Sequence, residues 1–140
     1  MKKIELTTIT QKVIISASPK QVYDAYTDPK LHSEFTDAKA SGKAVVGGKF
    51  TAWDEYISGK FLELEEGKLV VQEWASTDFP DGYLPSRLEL TFCEVPKGTQ
   101  IVMAHSNVPK EIADEAAEGW IEFYWTPLKE YFSKKSKKAK

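Results

Sequence analysis

Two histidines, one cysteine and 21 carboxylates are the groups with which this chain could do acid–base, nucleophilic or metal chemistry. His105 lies in the stretch Val102-Met103-Ala104-His105-Ser106. Period-2 alternation puts it on one strand face with Leu88, Leu90, Phe92, Ile101 and Met103. A neutral imidazole in apolar company either satisfies a hydrogen bond inside the core or works as an acid or base near pH 7. No serine or cysteine motif supplies it with a nucleophile, so a structural or ligand-orienting role is expected and no catalytic residue is assigned. His32 falls on a short polar helix and is expected to face solvent. Two distant histidines and the lone Cys93 make neither a zinc set nor an internal disulfide. Asp54, Glu55, Glu73 and Glu89 are spread over strand faces without forming an acid–base couple. Gly47-Gly48 precedes a strand rather than a helix and is no phosphate loop. No metal or cofactor is expected.

The aromatic residues carry more. Trp53, Tyr56, Trp74, Trp120 and Tyr124 each join a large apolar body to a polar tip, which suits the wall of a cavity or an interface. With His105 as the orienting hydrogen-bonding group, these five are the candidate ligand-binding residues for a small hydrophobic or amphipathic molecule. The alternative is that they fill the space between sheet and helix and leave only a small wet void. Phe50, Phe61, Phe92 and Phe132 are expected in the core. If the cavity exists, Trp120→Ala is expected to weaken ligand binding while leaving the domain folded.

The elements that must position these residues are readable from caps and periods. Leu6 to Ala17, rich in Ile, Val and Thr, reads as a first strand. Ser18-Pro19-Lys20-Gln21 is a helix start with a capping box and proline at the first helical position. Asp28-Pro29 ends that helix and caps a second one reaching about Phe35. Strands are then expected at Lys49–Trp53, Tyr56–Leu64, Leu69–Ala75, Ser86–Val95 and Thr99–Ser106, with a loop over Ser76–Pro85. Placing Lys97-Gly98 at the tip of the last hairpin pairs Phe92 with Met103, Leu90 with His105 and Leu88 with Asn107. The terminal helix aligns Ala113, Ala117, Trp120, Tyr124, Leu128 and Tyr131 along one face. Gly119 predicts a break or a close packing contact, and Pro127 a kink. One strand, two short helices, a run of antiparallel strands and a long helix make an α+β layout, in which the helix must lie across the sheet.

The chain divides at about residue 133. Residues 134–140 hold five of the 19 basic residues and no acid; the remaining 14 basic against 21 acidic residues give the body a formal charge of −7. A single domain over 1–133 with a lysine-rich disordered tail over 134–140 is expected. An acidic body argues against a nucleic-acid groove. No apolar run approaches the roughly 20 residues of a membrane span. Nothing at the N-terminus reads as a signal peptide, so a cytoplasmic location is the default expectation.

The segments Ala17-Ser18-Pro19-Lys20-Gln21-Val22-Tyr23, Thr27-Asp28-Pro29, Val46-Gly47-Gly48-Lys49-Phe50 and Ser58-Gly59-Lys60-Phe61-Leu62-Glu63-Leu64 occur in a familiar order. They are followed by Glu73-Trp74, Leu90-Thr91-Phe92, His105-Ser106-Asn107-Val108-Pro109 and Gly119-Trp120. In order and spacing the chain resembles the START-like, or SRPBCC, helix-grip superfamily. Within it the chain resembles proteins homologous to the C-terminal domain of the activator of the heat-shock protein 90 ATPase. The resemblance covers roughly Thr10 to Phe132. It implies a curved antiparallel sheet of six or seven strands around a long C-terminal helix, with two short helices after the first strand. It also implies a non-enzymatic binding domain. The alternative is a co-chaperone-like module that stimulates a chaperone ATPase through the Ser76–Pro85 loop and acidic surface; a cyclase or hydrolase is the third and weakest reading. The eukaryotic activators carry a further N-terminal domain, for which this chain has no room.

Overall fold

Ser18 closes the first strand and opens the first helix. Its hydroxyl accepts from the Gln21 amide at 3.2 Å while the Gln21 side-chain oxygen accepts from the Ser18 amide at 3.0 Å. This capping box satisfies two helix-end donors that would otherwise lack partners. The first strand β1 is Leu6–Ile15 and the helix α1 is Pro19–Thr27. Asp28 ends α1 and caps α2, Pro29–Thr36, by accepting from the Lys30 amide at 2.8 Å. The computed structural model describes residues 5–79 and 83–138, side chains from 134 onward excepted.

Six further strands follow: β2 (Ser41–Gly42), β3 (Lys49–Ala52), β4 (Ile57–Glu65), β5 (Leu69–Ser76), β6 (Ser86–Val95) and β7 (Gly98–Pro109). They form one curved antiparallel sheet in the order β1-β7-β6-β5-β4-β3-β2. A 3-10 turn, Lys110–Ile112, leads into α3 (Ala113–Trp120), a π-helical turn (Ile121–Trp125) and α4 (Thr126–Lys138). This is the helix grip. The α4 backbone continues through most of the lysine-rich end that the sequence suggests is a disordered tail; residues 139–140 lie outside the described residues. Of the Ser76–Pro85 loop, residues 80–82 also lie outside them.

Alternation decides which side of the sheet meets the helix. Ser86, Leu88, Leu90 and Phe92 of β6 and Thr99, Ile101, Met103 and His105 of β7 are buried, and exposed Cys93 points the other way. The face is the expected one, but the register is not. The hairpin tip is Pro96-Lys97, so Leu88 pairs with His105, Leu90 with Met103 and Phe92 with Ile101. Gly98 is a strand residue with φ +137°, and a Cβ there would stand 2.2 Å from the Ile15 carbonyl oxygen. Glycine is needed for the close approach of β1, not for the turn. A two-residue slip keeps every side chain on its own face, which is why the core survives the error.

Asn107, at φ 59°, marks a bulge where Ser106 and Asn107 oppose Thr8 alone. Asparagine tolerates this left-handed conformation better than most residues. The bulge swings Val108 into the core as the chain leaves for the helix. In the C-terminal segment the Thr126 amide reaches back five residues to the Ile121 carbonyl. Pro127 follows at once, where a missing N–H and a crowding ring disfavour a regular α turn. The extra residue shifts the phase, so Trp120, Tyr124, Trp125, Leu128 and Phe132 are the buried set and Tyr131 is only half-buried.

Candidate ligand cavity

The helix does not close fully on the sheet. A cavity of about 490 Å³ lies between α3, the π turn, β4, β5 and the β3–β4 turn. Trp74 of β5, Ile57 of β4, Trp120 of α3 and Tyr124 of the π turn are its buried walls. Trp53 and Tyr56 from the β3–β4 turn, with Phe123 of the π turn, form its outer side; Tyr56 is 37% exposed and Phe123 49%. Trp53, Asp54 and Glu55 hold three successive positive φ angles, 53°, 56° and 74°. Each left-handed non-glycine residue costs about 1 kcal/mol or more. The turn is held by reciprocal bonds with Lys39: the Asp54 amide donates to the Lys39 carbonyl at 2.9 Å, and the Lys39 amide to the Asp54 carboxylate at 3.2 Å. Its result is to face the Trp53 ring to Phe123 and Tyr124, with centroids 5.6 and 6.0 Å apart.

The cavity has an acidic rim. Asp78 and Glu115 line it, and among the described lining residues there is no lysine, arginine or histidine. The Tyr56 hydroxyl donates a short hydrogen bond to Asp78. Burial first, then Asp78, pushes the Tyr56 phenol up, and Glu115 adds its charge.

His105 stands behind this wall. It is fully buried and both ring nitrogens are used. An indole N–H can only donate, so the Trp120 Nε1 bond to His105 Nδ1 at 3.1 Å fixes that nitrogen as the acceptor. Nε2–H then donates to Ser86 Oγ at 2.7 Å, and the Ser86 hydroxyl donates to the Trp74 carbonyl at 2.5 Å. Burial lowers the His105 pKa to about 3. A neutral ring with both nitrogens engaged has no hydrogen bond left for a ligand. The orienting group expected at His105 is therefore a prop for Trp120 and Trp74, not a wall of the cavity.

His32 is the larger correction. Far from facing solvent, it is 6% exposed. Its Nδ1–H donates to the Tyr26 carbonyl at 2.8 Å and its Nε2 accepts from the Tyr124 hydroxyl at 3.1 Å. Burial lowers its pKa to about 4, opposed in part by the Tyr26 bond. Both histidines do the same work: each accepts a hydrogen bond from one aromatic of the C-terminal helix and fixes its ring at the cavity. Gln11 of β1 holds the neighbouring Trp125, which stacks on Trp120 without lining the cavity, accepting from Trp125 Nε1 at 2.7 Å and donating to the Ala117 carbonyl at 2.9 Å. Neither His32 nor Gln11 announced this role locally, because their partners lie 92 and more than 100 residues away.

The five aromatics of the sequence expectation thus stand together on one cavity. Ile57, Ala116, Gly119 and Phe123 join them. Trp74 Nε1 is the one buried side-chain nitrogen or oxygen without a hydrogen-bond partner among the described residues. No helix of the described residues is long and apolar enough to cross a membrane, and none of their His, Cys, Asp and Glu residues form a group of three able to hold a metal.

Comparison with known proteins agrees with the fold. Activator of 90 kDa heat shock protein ATPase homolog 1 from Homo sapiens is 31% identical over 130 residues, which cover 93% of this chain and 38% of that protein. The chain therefore spans well under half the length of that relative. An HSP90 activator from Plasmodium falciparum has a crystal structure with a TM-score of 0.79 at 20% identity, covering 91% of this chain and 96% of that one. The solution structure of the Aha1 dimer from Colwellia psychrerythraea matches with a TM-score of 0.74 at 21% identity, covering 87% and 93%. The family model described as activator of Hsp90 ATPase homolog 1-like protein matches residues 16–133, and the chain belongs to that family.

Proposed function

We propose that this chain is a non-enzymatic binding domain that holds a small hydrophobic or amphipathic molecule in the cavity between sheet and C-terminal helix. The observation that carries this reading is Gly119. A glycine inside a helix costs about 1 kcal/mol against alanine, so it needs a reason. Packing does not provide one: a Cβ there would meet only Phe123 Cδ2, at an ordinary 3.7 Å. Nor does backbone conformation, since Gly119 is absent from the positive-φ residues. What Gly119 does is line the cavity; it keeps that space open at the expense of helix stability. The volume of about 490 Å³ lies within the range of small-molecule sites, roughly 300–1,000 Å³. The unpartnered Trp74 N–H adds a donor among the wall residues that an acceptor atom could relieve. Trp53, Tyr56, Trp74, Trp120 and Tyr124 supply the contact surface, with His105 and His32 behind them.

The test is to fill the space. Gly119→Phe is expected to keep or raise the melting temperature and to weaken binding of the neutral apolar probe N-phenyl-1-naphthylamine at least about tenfold. Equal probe affinity in the folded variant would remove the cavity reading.

A second reading is favoured by a separate observation: relatives are named as activators of a heat-shock protein ATPase. The domain would then contact a chaperone ATPase through exposed loops and acidic surface. Purified protein added at saturating concentration to the chaperone tests it directly. Faster ATP hydrolysis supports the reading, and an unchanged rate rejects it for this chain by itself.

A further inference from the structure

Resting on the cavity reading above, we propose that the molecule it takes is neutral and otherwise apolar but carries an oxygen acceptor, the oxygen of a ketone, ester or ether, which Trp74 Nε1–H binds. The polar tips of the wall select this chemistry by elimination. Trp120 Nε1 donates to His105 Nδ1 at 3.1 Å, and the Tyr124 hydroxyl donates to His32 Nε2 at 3.1 Å. On the outer side the Tyr56 hydroxyl donates to Asp78. Each of these donors is spent inside the protein. Trp74 lines the same space and is 7% exposed. Its Nε1 is the one buried side-chain nitrogen or oxygen without a partner among the described residues. An indole N–H can only donate, so what it lacks is an acceptor.

Charge narrows the class further. A carboxylate or phosphate taken out of water needs a counter-charge, and the described lining residues include no lysine, arginine or histidine. An ammonium group would bring donors and no acceptor. The competing explanation is that the core tolerates an orphan N–H or caps it with a water. Buried polar side chains are rarely left unpaired, and this core follows the rule elsewhere: Tyr26 donates to Gln72 at 2.8 Å, and Ser86 bonds both Trp74's carbonyl and His105. The exception falls on a residue of the cavity wall. Its ring packs edge-on against His105, at 4.8 Å between centroids, but both nitrogens of that imidazole are already engaged.

Two probes of the same shape decide the matter: the ketone 2-acetylnaphthalene and the hydrocarbon 2-isopropenylnaphthalene, each titrated against the full chain by displacement of N-phenyl-1-naphthylamine. Trp74→Phe keeps an aromatic ring and removes the donor. The ratio of ketone to hydrocarbon affinity is expected to fall about tenfold or more in that variant, its folding checked by melting temperature. A second reading needs no variant: in the wild type the assigned Trp74 indole N–H proton should move downfield with the ketone and not with the hydrocarbon. Both probes binding with an unchanged ratio and an unmoved indole proton would mean that a water or nothing caps the N–H. That result would overturn the inference and leave the cavity reading standing. Binding of neither probe up to its solubility limit would overturn both.

Discussion

Acidification from pH 7 to about pH 4.5 is expected to remove about 4–5 kcal/mol of folding stability, most of it through two buried histidines. His32 and His105 have their pKa values lowered from 6.5 to about 4 and about 3, in each case chiefly by burial. The unfolded chain therefore takes up protons before the folded one. The stability they contribute is complete above pH 6.5 and falls as the pH drops, until the folded rings protonate near 4 and 3. Between those limits each histidine costs about 1.4 kcal/mol per pH unit. Small domains hold only about 5–15 kcal/mol, so such a loss should move urea midpoints strongly. Urea unfolding at several pH values should show a slope approaching two protons between pH 6 and 5. In His105→Gln the amide oxygen can accept from Trp120 and the amide nitrogen can donate to Ser86, and the slope should fall toward one. A stability flat from pH 6.5 to 5 would mean the rings are not buried and neutral as described.

Trp120→Ala is expected to destabilise the fold by about 3–5 kcal/mol. The ring is 2% exposed, stacks on Trp125 at 5.4 Å and touches Trp74 and Tyr124. Its loss also leaves His105 Nδ1 as a buried acceptor without a donor, which adds to the cost of the void. The expectation that the Trp120→Ala domain stays folded therefore holds only if the wild-type stability exceeds this loss. Phe123, on the same cavity but half-exposed, should tolerate truncation with a loss below about 1 kcal/mol. Urea midpoints of the two variants, compared at pH 7.5, test the contrast. Equal destabilisation would mean that the cavity's buried wall and its outer edge are not distinguished as the geometry says.

The elements were readable where the sequence carried their chemistry locally. Ser18 with Gln21, and Asp28 ahead of Pro29, name two helix starts because a cap is made within three residues. The inner face of β6 and β7 was readable because alternation is a property of each strand alone. What failed was whatever depended on a distant partner. Gly98 looked like a turn residue, and only the approach of the Ile15 carbonyl shows otherwise. His32 looked polar and exposed, but Tyr26 and Phe35 pack on its ring and the distant Tyr124 bonds it inside the core. Pro127 signalled disturbance in the helix, but not that it would take the form of a π turn bringing Trp125 inward beside Tyr124. The candidate aromatics were found from residue type, whereas the props behind them, His32 on Tyr124 and Ser86 on the Trp74 carbonyl and His105, could not be.

The space lined by Gly119 is expected to be a binding site. Native mass spectrometry of the wild-type protein and of Gly119→Phe, each purified from the protein's own cells without denaturation, tests it most directly. A small molecule is expected on the wild type and not on the variant, with both chains folded. An identical bound mass on both proteins, or none on either, would contradict it.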